Sequence, residues 1–155
     1  MLHRLAALAP YPGDDRLMPP LSVWMLRGAL CSLLAGSALG AWLLAGEPLA
    51  GANHPALRDA HFTLMLFGWL LPFVLGTAYW MLPRHAGGEP RGARGVIRLS
   101  AAAYAAGVAI RLGGAMGVGG TGVSVGTALL LTGTAGFITL FWTRIKPFGA
   151  GRGAP

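Results

Sequence analysis

The chain reads as an all-α integral membrane bundle of four transmembrane helices with both termini cytoplasmic, and three observations lead there. Of its 155 residues, 54% are hydrophobic and only 11% are charged. The mean hydropathy is +0.59. Apolar runs long enough to cross a bilayer, which asks for about 20 residues, recur four times between clusters of arginine and glycine.

An N-terminal arm, residues 1–20, comes first. It holds Pro10, Pro12, Asp14, Asp15, Pro19 and Pro20, and its apolar run from Leu5 to Ala9 is too short for a signal-peptide core. The transmembrane domain follows over 21–145, with spans at about 21–45, 60–82, 96–118 and 123–143, and a tail at 146–155 ends the chain. The second span is the clearest, with no charged residue from Ala60 to Leu82. The third carries Arg98 and Arg111, and the cluster Gly117, Gly119, Gly120 and Gly122 reads as its tight connection to the fourth.

Loop charge sets the orientation. Arg4 and Arg16, then Arg84, Arg91, Arg94 and Arg98, then Arg144, Lys146 and Arg152 fall on one side of a four-span chain; Arg58, and Arg111 where it snorkels to the outer interface, fall on the other. The termini are therefore expected in the cytoplasm of a multi-pass inner (plasma) membrane protein, with His61 near the outer face. The net charge of +7 is distributed between apolar segments rather than gathered on one surface, so it predicts topology and no nucleic-acid partner. The lone cysteine, Cys31, lies in the first span and builds neither an intramolecular disulfide nor a thiolate cluster.

Small residues supply the packing, because helices in lipid associate by close backbone approach. Gly36 and Gly40 make one GxxxG pair, Gly122 and Gly126 another, and Ala103 with Gly107 a small-xxx-small pair.

Chemistry concentrates on the second span. His61 begins it, and an imidazole at membrane depth is a functional-site candidate. His61, Met65, Gly68, Pro72 and Tyr79 fall close to one line down a helix. Pro72 removes the N–H that would bond the Gly68 carbonyl, so a kink can open space. Two readings remain open for that face: a groove for a flat group, or a crossing point for another helix. Asp59 either caps the second helix or orients His61. The acids Asp14, Asp15, Glu47, Asp59 and Glu89 all lie outside the predicted spans, so neither paired-carboxylate catalysis nor proton pumping is expected.

The run His61-Phe-Thr-Leu-Met-Leu-Phe-Gly68-Trp69, continued by Gly76, Tyr79, Trp80 and a Leu-Pro-Arg ending at Arg84, resembles the second helix of the haem-copper oxidase subunit I superfamily. The resemblance is nearest to the cbb3-type oxidase and nitric oxide reductase branch and its short four-helix subunit I-like homologues. It implies a haem b with His61 as metal ligand and one axial position, the second ligand being unknown. It also implies a cofactor environment of Met65, Gly68, Trp69 and Pro72, with Arg111 or Arg58 on a propionate. A second His61 from a homodimer, a five-coordinate haem, or a ligand such as His54 or Met116 are the alternatives for the missing position. His3, His54 and His85 lie in the arm or loops, so the binuclear-centre histidines are absent and oxygen reduction by this chain alone is excluded. The resemblance thus implies electron transfer or a respiratory-chain accessory role within a homodimer or larger respiratory complex. A haem-free structural or assembly membrane protein is the alternative, as is a gas or redox sensor.

Overall fold

The computed structural model describes residues 18–46, 54–83, 93–117 and 120–145. Most of the expected arm, the arginines at 84 and 91, and the tail lie outside the described residues. Four helices are long and apolar enough to cross a membrane, and no strand occurs among the described residues. Helix α1 spans Pro20–Ala45, α2 His54–Met81, α3 Arg94–Ala115 and α4 Gly122–Trp142.

Each boundary has a local cause. Pro20 opens α1 where its missing N–H costs nothing, and Gly46 closes it at φ 73°, a left-handed conformation suited to glycine. The α3–α4 connection turns through Gly117 at φ 87°. Helix α2 begins at His54, well before the expected Ala60, because Pro55 in the first turn is compatible with a helix start. His54 is therefore the first residue of a helix rather than part of a loop. Asp59 lies inside α2 and does not cap it, and the expectation that every acid lies outside the helices is corrected with it.

Helix α2 is the centre of the bundle. It runs antiparallel along the whole of α1, beside α3 through its first half, and against α4 near its end, while the backbone of α1 comes close to neither α3 nor α4. The α3–α4 hairpin is the most extensive contact. A buried cluster of Leu75, Tyr79, Ile97, Tyr104, Leu130, Phe137 and Phe141 fills the space between α2 and that hairpin. Leu34, Leu44, Leu99 and Trp142 are exposed on the outside, as expected of faces that meet lipid.

The middle of α2 departs from α geometry. Thr63–Leu70 is π-helical, and the Leu71 N–H reaches back five residues to the Leu66 carbonyl. In that register the amide that Pro72 lacks would have bonded the Phe67 carbonyl, not that of Gly68. The orphaned oxygen is satisfied from another helix: the Tyr104 hydroxyl of α3 donates to Phe67 O at 2.7 Å.

Candidate functional site: the polar face of α2

His61 and Met65 sit over the glycines of α1. A methyl group at position 40 would lie 2.7 Å from His61 Cε1, and one at position 36 would lie 2.8 Å from Met65 Sδ. The His61 Nδ1 is 2.8 Å from the Gly36 carbonyl oxygen. A carbonyl only accepts, so Nδ1 carries the proton and the free lone pair of the neutral ring is on Nε2. One turn lower, a methyl at Gly68 would lie 2.8 Å from Ser32 Cβ. The stripped face expected around Gly68 is in part a crossing point for another helix, with Ser32 of α1 against Gly68, and in part a groove lined by Gly68 and Pro72. Of the residues that the resemblance joined around one cofactor, His61, Met65 and Gly68 lie against α1, Trp69 is half-buried on the π-helical turn, and Pro72 is buried and lines one groove with Gly68.

Arg111 turns inward and its three donor nitrogens are all engaged. Nη2 donates to Asp59 Oδ1 at 2.7 Å, Nη1 to Thr127 Oγ at 2.7 Å and Nε to Thr63 Oγ at 3.2 Å. The two threonines donate onward to backbone carbonyls, Thr63 to Asp59 and Thr127 to Val123. The guanidinium also lies 5.7 Å from the Phe67 ring centroid. This clamp joins α2, α3 and α4 through one cation, with the Asp59 carboxylate neutralising it. A charge in the hydrocarbon region is tolerated when paired and hydrogen-bonded. Arg111 therefore neither snorkels nor points at an external anion, and Arg58 is exposed elsewhere on α2.

Arg144 makes a second clamp at the opposite end. The loop-charge reading treats it as a surface residue, yet it is 1% exposed. Its guanidinium donates to the carbonyls of Tyr79, Leu82 and Pro83, the acceptors that the end of α2 leaves unsatisfied. Thr63, Tyr104, Thr127 and Arg144 were all missed by sequence reasoning. For Thr63 and Thr127 no signal was present, whereas Asp59, the acid next to the second span, and Arg111, the arginine deep in the third, could have been paired.

Between α1 and α3, whose backbones stay apart, runs a mainly apolar groove of about 300 Å³ floored by Phe67, Gly68 and Pro72.

No group of three or more His, Cys, Asp or Glu side chains converges among the described residues. A family profile described as OpgC protein matches residues 16–134, most of the chain. The chain belongs to the OpgC protein family. No curated protein and no solved structure matches it. OpgC family membership overturns the resemblance to haem-copper oxidase subunit I, which rested on one short stretch where the family match covers three helices and part of the fourth. The haem, iron, cytochrome-oxidase and electron-transport expectations fall with it. In this OpgC-family chain the histidine, glycine and proline of the stretch have another physical explanation, a close helix crossing built around a π-helical turn.

Proposed function

We propose that this OpgC-family chain is a structural or assembly element of the membrane and works without haem. The observation that carries the reading is the use made of Asp59, Arg111 and Arg144. The charged groups inside the bundle bind helix to helix, which leaves them committed to holding a shape. Loop charge supports termini on the cytoplasmic side of the inner membrane.

The test compares two substitutions in a strain lacking the chain, reading by quantitative proteomics the membrane complexes whose abundance falls. His61→Gln keeps a donor for the Gly36 carbonyl and should restore them, whereas Asp59→Ala, which breaks the clamp, should not. Protein expressed with ample haem should also be colourless. A folded His61→Gln protein that fails to restore, or a Soret band lost in that variant, would sink the scaffold reading.

One observation favours a second reading. OpgC proteins are described as an acyltransferase-like membrane family, and the Gly36 carbonyl holds His61 by Nδ1 and leaves Nε2 as the acceptor nitrogen, the arrangement a general base for acyl transfer requires. Turnover of a thioester acyl donor by the reconstituted chain, abolished in His61→Gln, would favour it over the scaffold.

A further inference from the structure

The groove between α1 and α3 lies outside both clamps, and its lining restricts what can enter. Its walls are Met25, Gly28 and Ser32 on one side and Ala101, Ala105 and Val108 on the other. Its volume is about 300 Å³ and its lining is mainly apolar, so it suits an apolar occupant. Because the groove lies within the spans, a lipid acyl chain is the apolar group at hand.

Cations flank the groove. Trp24 lines it, and the Arg27 guanidinium lies 5.8 Å from the Trp24 ring centroid. Arg27 is exposed, and no carboxylate partners it among the described residues. On the facing wall, Arg98 is exposed and lies three residues before Ala101, on the face that continues to Ala105 and Val108. Ser32 meets Gly68 and the Tyr104 hydroxyl meets Phe67, so positions 32 and 104 lie near one level of α2 on parallel helices. Counting back five and six residues from them reaches Arg27 and Arg98, which places both arginines toward the same end of the bundle. Arginine offers a planar fork of donors that matches a phosphate, and a tryptophan beside it suits the headgroup level.

We propose that the α1–α3 groove seats one acyl chain of an anionic phospholipid, whose phosphate is held at the mouth by Arg27 and Arg98. The chain enters past Trp24 and lies over the floor formed by Gly68 and Pro72, where the π-helical turn and the separation of α1 from α3 leave room.

The test reconstitutes the full chain in vesicles of phosphatidylcholine or phosphatidylglycerol with brominated acyl chains, and reads quenching of tryptophan emission. Trp24→Phe identifies the Trp24 share. Quenching of Trp24 should favour phosphatidylglycerol, by about fivefold in relative affinity for each arginine near the surface. Arg27→Gln with Arg98→Gln should abolish that preference and keep acyl-chain quenching. Gly28→Leu should reduce quenching by both lipids; a methyl built at Gly28 meets nothing within 4 Å, so this variant fills the groove without disturbing the helices. Equal quenching by the two lipids, or a preference that survives the double arginine variant, would overturn the proposal. So would a concentration-dependent dimer that Gly28→Leu dissolves, because a second copy would then be the occupant.

Discussion

Helices α3 and α4 meet backbone to backbone, whereas α1 meets α2 through side chains laid over glycines. At position 126 an added methyl would collide with the backbone of Arg111, and at position 107 it would lie 2.6 Å from the Leu130 amide nitrogen. At positions 36 and 40 the same methyl would meet the Met65 thioether and the His61 ring. The difference teaches what a glycine contributes in lipid. A backbone neighbour cannot withdraw, so the glycine is an absolute requirement of the contact; a side-chain neighbour can turn aside, so the glycine tunes the fit. The α1–α3 pair completes the series, since there the backbones stay apart and a groove remains.

The hardest break should come at the hairpin. Gly126→Ala forces α3 and α4 apart and should cost about 3 kcal/mol, near the top of the usual overpacking range, measured by titrating folded protein in mixed micelles with SDS. Asp59→Ala leaves the Arg111 charge inside without its counterion and should cost about 2 to 3 kcal/mol in the same titration, below the fully buried range because the carboxylate is partly exposed. Adding Arg111→Leu should recover most of that loss, because replacing both partners by apolar groups removes the unpaired charge. If the double variant is no better than Asp59→Ala, the clamp is not the main link among α2, α3 and α4.

Smaller changes sharpen the contrast. Gly40→Ala presses on the edge of the His61 ring and should cost about 1 to 2 kcal/mol, clearly less than Gly126→Ala; equal costs would erase the distinction between backbone and side-chain neighbours. Tyr104→Phe removes the donor to the Phe67 carbonyl and should cost about 1 kcal/mol, seen as a lower SDS midpoint with helix content retained by circular dichroism. At the open groove Gly28→Ala should be neutral or stabilising by up to about 1 kcal/mol, since it only reduces the freedom of the unfolded backbone.

The helices were legible in the sequence because hydrocarbon thickness imposes a length and lipid imposes apolarity, both local properties of the chain. Gly36 with Gly40 and Gly122 with Gly126 were legible as packing sites for the same reason: their spacing repeats on one helix face. The site was much less so. His61 stood out, but its neighbours were assigned by resemblance over a single helix, and the whole-chain family match corrected that assignment. Asp59 was read at a helix start because the first turn from His54 contains Pro55 and a polar stretch, which composition alone does not separate from a loop.

Sequence by itself determined that four apolar segments would span and where glycines would let backbones approach. Only the tertiary structure decided that Arg111 pairs with Asp59, that Arg144 closes the end of α2 and that Tyr104 satisfies the carbonyl left by Pro72. Each of these contacts joins residues on different helices, and hydrogen bonds form only where geometry brings donor and acceptor within about 3 Å. Spacing along a chain sets the face on which a residue lies; the partner it finds depends on how whole helices cross.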